Sequence, residues 1–218
     1  VCLLSLRLDA LLVAQAVAQR RRDRVISQIV KPDRPVSARY AIFANAAAHG
    51  VMVSIMAMTP VHMLHHGASL SIIGLTISLH IAGMYALSPV FGILADRVGR
   101  LPTILLGQLL LAASLATVFF GAESTTAVTV ALILLGLGWS AATVAGSALL
   151  TESSSEQRRT IRQGRNDLTM SLVGAVGAIT SGIVLGWIGF AGLALVVGGA
   201  VVATVALSPL GRPHPAVG

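Results

Sequence analysis

Few residues of this 218-residue chain have side chains that can do chemistry. Asp96, Arg97 and Arg100 lie in a compact turn between two apolar runs, and Glu152 opens a second charged stretch that extends to residue 167. Carboxylates and guanidinium groups at short spacing form charge-assisted hydrogen bonds, which can be made and broken. The chain has no H-E-x-x-H, no G-x-S-x-G and no paired carboxylates within an apolar run, so the usual motifs of a hydrolase are absent.

Polar side chains inside the apolar runs form a second candidate set. A polar group at membrane depth is costly and by default marks a transport pathway. Asn45 and His49 are four residues apart, which places them on one face of a helix. Histidine has an ordinary pKa of about 6.5, so His49 and His80 are candidates for carrying protons. The candidate pathway residues are Asn45, His49, His80, Tyr85, Trp139, Ser140 and Thr143.

Each of these residues also has a purely structural interpretation. A buried histidine can remain neutral and hydrogen-bonded between two helices, and Trp139 can be packed in the interior. Ser140 and Thr143 belong to a stripe of small residues, which lets two helix backbones approach closely. The sequence alone leaves both interpretations open.

The segment HMLHHG places His62, His65 and His66 at the end of an apolar run. Their i, i+3 and i+4 spacing is sterically compatible with zinc. No carboxylate or cysteine is nearby in the sequence, and Cys2 is the only cysteine of the chain. Histidines at a membrane interface explain the segment better, so the sequence predicts neither a metal site nor a cofactor.

The elements that position these residues follow from the composition. Hydrophobic residues make up 55% of the chain and charged residues 11%, whereas a soluble domain has about 25% charged residues. A spanning helix needs roughly 20 mostly apolar residues. The sequence therefore predicts an all-α integral membrane protein with six transmembrane helices. The predicted spans are about 41–63, 70–92, 102–120, 126–150, 168–187 and 190–209.

The basic residues predict how these helices are oriented. With six spans, all 15 Lys and Arg residues fall on one side of the membrane, which the positive-inside rule makes the cytoplasmic side. Both chain ends are therefore expected in the cytoplasm, with a basic segment over residues 1–39 and a short tail over residues 211–218. The net charge of +7 reflects this topology, so membrane lipid and not nucleic acid is the expected partner.

The turn GILADRVGRLPTI resembles the cytoplasmic signature of the major facilitator superfamily, G-x-L-A-D-R-x-G-R-[KR]-x-x-[LI]. Leu101 departs from the signature, because the family often has a second basic residue at that position. The turn lies between two predicted spans on the predicted cytoplasmic side, as the signature does in the family. The matching residues are Gly92, Leu94, Ala95, Asp96, Arg97, Gly99 and Arg100.

In that family the signature is an element of the cytoplasmic gate. The resemblance implies that Asp96 meets the positive N-terminal end of a helix from the opposite half. It also implies that Arg97 pairs with an acidic residue at the end of a neighbouring helix, for which Glu152 is the candidate. The loop after Glu152 resembles the family's second cytoplasmic signature. The candidates in this second gate loop are Glu152, Glu156, Arg158, Arg159, Gln163, Gly164 and Asp167.

Two further expectations concern this second loop. Asp167 is positioned to cap the N-terminus of the fifth span, because a short carboxylate side chain can accept hydrogen bonds from the first backbone N–H groups of a helix. The alternative for Glu152 and Arg159 is an ordinary solvated loop without a role in gating.

The resemblance also implies an architecture. The superfamily fold has two six-helix bundles, each built from inverted three-helix repeats, with the substrate bound between the bundles. This chain accounts for one bundle, over residues 40–210. Residues 1–39 are interpreted as the end of a lost helix and the central cytoplasmic linker. The bundle is then the C-terminal half, and a missing N-terminal half of the same longer chain is its partner. The alternative makes residues 1–39 an N-terminal tail and the bundle the first half.

These observations favour a secondary transporter of the bacterial inner membrane, which moves a small solute by alternating access with coupling to protons. One alternative is a non-transporting half-bundle or gene remnant that needs a partner chain. The other is a membrane metal-dependent hydrolase that uses His49, His80 and the outer histidines. The missing hydrolase motifs disfavour the latter, so an enzyme is not expected.

Overall fold

A computed structural model describes residues 33–212, together with Gln15 and Gln19. The predictions for residues 1–32 and 213–218, which include most of the basic segment and of the tail, lie outside the described residues. The described part is helical and contains no strand. Its helices are α1 Pro35–His65, α2 Leu70–Tyr85, α3 Ser88–Val98, α4 Arg100–Gly121, α5 Thr125–Glu152 and α6 Glu156–Ala206, followed by a 3-10 turn at Ser208–Gly211.

Five helical stretches of the described chain are long and apolar enough to cross a membrane. The predicted first, third and fourth spans correspond to α1, α4 and α5. The predicted second span corresponds to α2 and α3 together, and the predicted fifth and sixth spans both lie in α6. The all-α membrane architecture is thus confirmed.

The second of these stretches contains a break. α2 ends at Tyr85 and α3 begins at Ser88, with Pro89 in the first turn of α3. Proline has no backbone N–H and cannot continue a helix, but it fits the first turn of a new one. The Ser88 hydroxyl donates a hydrogen bond to the Tyr85 carbonyl at 2.9 Å, which satisfies one carbonyl at the break.

α5 lies at the centre of the bundle and packs against α1, α2, α3 and α4. Glycines permit its closest crossings. A Cβ on Gly107 of α4 would lie 2.6 Å from the backbone nitrogen of Ala142. A Cβ on Gly136 would overlap the backbone carbonyl oxygen of His80 on α2. Such backbone approach at small residues is typical of helix packing in membranes.

α6 contains 51 residues, and a straight helix of that length would be more than twice as long as the hydrocarbon core of a bilayer is thick, at about 1.5 Å per residue and 30 Å of core. Helical geometry is interrupted at Gly189, where φ is 74° and ψ is −178°. Glycine adopts a positive φ without steric cost. The break separates a first arm, residues 156–188, from a second arm, residues 190–206.

The two arms of α6 run in opposite directions beside α1. Phe190, which opens the second arm, stacks on His62 near the end of α1, with ring centroids 4.4 Å apart. Towards the end of the same arm, the Thr204 carbonyl accepts a hydrogen bond from the Tyr40 hydroxyl near the start of α1, at 3.3 Å. The second arm therefore returns along α1 to the end at which the described chain begins.

The prediction that Asp167 caps the fifth span is wrong. α6 begins at Glu156, with Ser155 as its N-cap residue, so Asp167 lies inside the helix. Residues 156–167 are polar but helical. A hydropathy pattern detects only the apolar part of a helix, so it misplaced the start of this one.

Candidate functional site

Arg100 joins three helices at one end of the bundle. Gly99, with a φ of 112°, ends α3 and begins α4, which places Arg100 at the first position of α4. The guanidinium donates to Glu152, the last residue of α5, from Nε at 3.0 Å and from Nη2 at 2.7 Å. It also donates to the Asp96 carboxylate of α3. We refer to Asp96, Arg100 and Glu152 as the Arg100 cluster.

The prediction that Arg97 pairs with Glu152 is wrong. Arg97 lies in the last turn of α3 and is exposed, and none of the ion pairs in residues 33–212 includes it. The change of chain direction at Gly99 brings Arg100, and not Arg97, against the end of α5.

The Arg100 cluster is partly accessible to water. The side chains of Arg100, Asp96 and Glu152 are 20%, 70% and 37% exposed. Ion pairs that water reaches contribute only about 0–1 kcal/mol each to stability. The cluster therefore orients the turn between α3 and α4 without making a large contribution to folding, and it can separate at low cost.

A second cluster surrounds Asp33, just before α1. Arg162 of α6 donates from Nη1 and Nη2 to the two carboxylate oxygens, at 2.7 and 3.0 Å. Arg158 donates to Oδ2 at 3.0 Å, and the Ser155 backbone N–H donates to Oδ1 at 3.2 Å. This bidentate geometry is the strong form of an arginine–carboxylate pair. We refer to Asp33, Arg158 and Arg162 as the Asp33 cluster.

The surroundings of Asp33 shift its acidity. Desolvation raises the pKa of the carboxyl, but the hydrogen bonds from Ser155 and Arg162 and the charges of Arg162 and Arg158 outweigh it. The pKa of Asp33 is therefore lowered from its ordinary value, because these donors stabilise the charged form.

The two clusters occupy the same end of the bundle. Arg34 borders a hollow of about 500 Å³ together with Asp96, Arg100 and Glu152. Its backbone N–H also donates to the Ser153 carbonyl in the loop between α5 and α6, at 2.9 Å. We call this end of the bundle the basic end.

Sequence reasoning identified only part of the second cluster. Of the predicted second gate loop, Arg158 joins the Asp33 cluster and Glu152 joins the Arg100 cluster, whereas Asp33 and Arg162 were missed. The i, i+4 spacing of Arg158 and Arg162 was a usable signal, since it places both on one helix face. Within residues 33–212, the residues of the predicted second gate loop that form no ion pair are Glu156, Arg159, Gln163, Gly164 and Asp167.

Asn45 connects three helices in the interior. Its Nδ2 donates to Asn166 Oδ1 on α6 at 2.9 Å and lies 3.5 Å from the Ser147 hydroxyl on α5. Gly146 leaves the space that the Asn45 amide occupies, because a Cβ there would overlap Asn45 Oδ1. Asn166 was not predicted, because the residues around it in the sequence are charged and do not indicate a buried position.

One turn along α1, His49 accepts a hydrogen bond at Nδ1 from Trp139 Nε1 of α5, at 3.2 Å. An indole N–H can only donate, so the neutral His49 ring carries its proton on Nε2. The Tyr85 ring of α2 meets Trp139 edge-on, with centroids 6.1 Å apart, and is 61% exposed. Polar and aromatic groups of four helices thus lie close together, with Asn45 and Asn166 buried and Tyr85 exposed. We call this set the polar face: Asn45, His49, Tyr85, Trp139 and Asn166.

Three predicted pathway residues lie outside the polar face. His80 is fully buried, and its Nδ1 lies 2.8 Å from the Leu132 carbonyl. Thr143 donates to the carbonyl of Trp139 in its own helix at 2.7 Å, and Ser140 is fully buried. These contacts agree with the structural interpretation of the three residues, namely helix packing.

The histidines of HMLHHG lie at the end of the bundle opposite to the basic end. His62 Nε2 lies 2.6 Å from the Ala122 carbonyl, and His66 Nδ1 lies 2.9 Å from the His62 carbonyl. Among residues 33–212, no group of three His, Cys, Asp or Glu side chains is arranged to hold a metal ion. His62 is therefore engaged in contacts between helix ends.

Comparison with known proteins relates this arrangement to a family. Residues 41–217 match the family described as Major Facilitator Superfamily. The chain belongs to the major facilitator superfamily. The resemblance inferred from the turn at residues 92–100 is thus confirmed.

Two named relatives align with most of this chain. The uncharacterized MFS-type transporter YddS of Bacillus subtilis (strain 168) is 40% identical over 193 residues, which are 85% of this chain and 44% of the relative. The riboflavin transporter RfnT of Brucella anthropi is 29% identical over 167 residues, which are 75% of this chain and 41% of the relative. The chain spans less than half the length of either relative.

A solved structure has the same fold. The POT family transporter PepTSo, crystallised in meso, matches with a TM-score of 0.68 at 19% identity, over 84% of this chain and 40% of that one. As a superfamily member with five described membrane-length helices, the protein is an integral multi-pass membrane protein. Its named relatives are transporters, and it is not an enzyme.

Proposed function

We propose that the chain is one half of a secondary transporter of a bacterial inner membrane, which moves a small solute by alternating access. In this proposal the bundle crosses the membrane six times, with the two arms of α6 as separate spans. The basic end faces the cytoplasm, as the positive-inside rule favours. The bundle is the C-terminal half, and the solute passes between it and an N-terminal half of the same chain.

The polar face is the observation that carries the proposal. Polar groups at membrane depth are costly unless they have a role, and here groups from α1, α2, α5 and α6 lie close together. Tyr85 remains largely exposed on it. Because transporters of this fold bind the solute between two bundles, we place the solute pathway along the polar face.

The Arg100 cluster supplies the cytoplasmic gate. It fixes the α3–α4 turn against the end of α5 by hydrogen bonds that are charge-assisted and partly exposed. Loss of these bonds is offset by hydration of the separated charges. The inward-open state then needs only a small additional free energy, which is what a gate that opens in every cycle requires.

Asp96→Asn tests the gate in the full-length carrier. The variant keeps the size of the side chain but removes the charge that Arg100 contacts, so most transport should be lost while membrane insertion is retained. Glu123→Gln is the matched control, since Glu123 is an exposed acid in the turn between α4 and α5, at the opposite end. Normal transport by Asp96→Asn in proteoliposomes would contradict the gate.

His49 is the candidate for proton coupling. Its Nδ1 accepts the Trp139 hydrogen bond, so a proton that binds there must break the contact between α1 and α5. Protonation would thus change how two helices of the polar face are held. In His49→Gln, solute uptake should lose its response to an imposed pH gradient, while exchange of solute across the membrane continues. Uptake that still follows the gradient would exclude His49 as the carrier of the proton.

A planar, conjugated solute suits the polar face. The rings of Tyr85 and Trp139 offer stacking surfaces, whereas the amides of Asn45 and Asn166 are buried between helices. Riboflavin is the first compound to test, because the relative RfnT is named for it. Transport of riboflavin by the full-length protein, and its loss in Trp139→Ala, would support the assignment. Absence of riboflavin transport by a protein that carries another solute would contradict it.

The alternative is a half-bundle that works with a partner chain or not at all. The two proposals differ in the size of the native product. A single-chain carrier requires a protein about twice the mass of these 22.4 kDa, because the fold has two bundles of similar size. Immunodetection in native membranes measures that mass. A product near 22.4 kDa would favour the half-bundle.

A further inference from the structure

Four arginines line a pocket where α1 and α6 begin. Arg39 belongs to α1. The other three, Arg158, Arg162 and Arg165, belong to the first three turns of α6. The pocket has a volume of about 310 Å³. Arg162 is almost buried, whereas the other three are exposed. We call this the arginine pocket.

The arginine pocket has an excess of positive charge. In the part of the chain that the structure describes, Asp33 is the one carboxylate that pairs with any of the four arginines, and it contacts Arg158 and Arg162. Arg39 and Arg165 form no ion pair among these residues. One negative charge against four positive charges leaves an excess of three positive charges at the pocket.

The residues that line the pocket indicate which kind of anion would fit it. Ile42 and Ile161 line the pocket beside the arginines, and Ile161 is 59% exposed although charged residues surround it in the sequence. The pocket also lies at the level where α1 changes from polar to apolar residues. An anion that carries hydrocarbon chains satisfies both the arginines and the isoleucines, which a free anion does not.

We propose that the arginine pocket binds the phosphate group of an anionic phospholipid in the leaflet at the basic end, with the acyl chains along Ile42 and Ile161. Guanidinium groups suit this role because their planar donors match phosphate oxygens and remain charged at any physiological pH. Basic pockets between membrane helices on the cytoplasmic side bind lipid headgroups in this way. The site is separate from the polar face and from the Arg100 cluster.

Native mass spectrometry of the full-length protein tests the site. The wild-type protein should retain one phosphatidylglycerol in preference to phosphatidylcholine. The double variant Arg39→Gln, Arg165→Gln should lose this preference, by about fivefold for each surface arginine and about thirtyfold together. It leaves the Asp33 pairs in place, so folding is retained. Arg212→Gln is the matched control, an exposed arginine outside the pocket, and it should bind phosphatidylglycerol like the wild type.

Three results would overturn the proposal. Equal retention of phosphatidylcholine would show that the headgroup charge is not recognised. Equal loss in Arg212→Gln would show a general effect of net charge and no pocket. Displacement of phosphatidylglycerol by millimolar inorganic phosphate, with retention of the phosphate, would assign the pocket to a free anion. None of these measurements depends on transport. Failure of the lipid site and failure of the proposed function can therefore be distinguished.

Discussion

The two ends of the bundle are closed by different chemistry. At the basic end, charged side chains join helix ends through the Arg100 cluster and the Asp33 cluster. At the opposite end, His62 contacts the Ala122 carbonyl and stacks on Phe190. All the ion pairs within residues 33–212 belong to the basic end.

This difference determines which end costs less free energy to separate. Charged groups that part at a surface regain hydration, so the net cost of opening is small. When stacked rings separate, they expose apolar surface to water, and this costs a free energy of about 25 cal/mol per Å². In this bundle, the basic end is therefore the easier one to open and close repeatedly, and its contacts respond to salt and pH.

The largest expected effect comes from the crossing of α2 and α5 at Gly136. A Cβ on Gly136 would overlap the His80 carbonyl and lie 3.1 Å from the Met84 nitrogen. These are backbone atoms, which cannot move aside. Gly136→Ala should cost about 3 kcal/mol, the upper part of the range for overpacking. Gly199→Ala, with nothing within 4 Å, is the matched control. Thermal unfolding in detergent measures both, and equal stabilities would contradict the packing.

The next effect should be confined to the basic end. Arg162→Gln removes the bidentate pair with Asp33 and the bonds to Ser153 and Ser154. We expect the unfolding temperature to fall by about 5 °C, because several hydrogen bonds to charged groups are lost. Hydrogen exchange should accelerate at residues 153–160 and not at residues 119–124. Equal acceleration of hydrogen exchange at both ends would contradict the assignment of the Arg162 contacts to the basic end alone.

A smaller effect is expected at the opposite end. His62→Leu keeps an apolar contact with Phe190 but loses the Ala122 hydrogen bond, so the unfolding temperature should fall by about 3 °C. Because no charge is involved, the difference from wild type should be the same at low salt and at about 1 M NaCl. A difference that disappears in salt would mean that this end, too, is held by charge.

The smallest effect concerns the pH dependence of the basic end. The pKa of Asp33 is lowered in the folded protein. Its contribution to stability is therefore fully present above the unfolded pKa of about 4 and is lost as the pH falls through the lower folded pKa. Asp33→Asn should remove this part of the acid dependence, while Glu123→Gln should leave it intact. Unfolding temperatures measured down to pH values near 3 test this, and parallel curves for Asp33→Asn and wild type would contradict it.

Most of the fold could be predicted from the sequence, because apolar runs report directly on membrane helices. The break at Gly189 lies between the predicted fifth and sixth spans, where the GWIGF segment indicates a turn. The start of α6 at Glu156 could not be predicted, since a polar helix and a polar loop have the same hydropathy. The division of the second span at Tyr85 and Ser88 likewise depends on local hydrogen bonding near Pro89.

The candidate site was less predictable, because its contacts connect distant residues. Asn45 and His49 were predicted from spacing within one helix, but their partners Asn166 and Trp139 come from other helices. Asp33 sits in the KPDRP segment, whose prolines indicate only a helix boundary, and its partner Arg162 is 129 positions away. Whether Arg100 or Arg97 pairs with Glu152 depends on the backbone conformation at Gly99. The spacing of residues in the sequence does not determine that conformation.

The proposed closure of the cytoplasmic end of the pathway by the Arg100 cluster can be tested without knowing the solute. Ser147 is exposed on α5 beside Asn45, and Ser147→Cys in a full-length background without other cysteines reports access to the polar face. A membrane-impermeant thiol reagent is applied from the cytoplasmic side, and the labelling rate is compared in Glu152→Gln and Glu123→Gln. We expect faster labelling in Glu152→Gln and an unchanged rate in Glu123→Gln. Equal rates in Glu152→Gln and in the parent would contradict it.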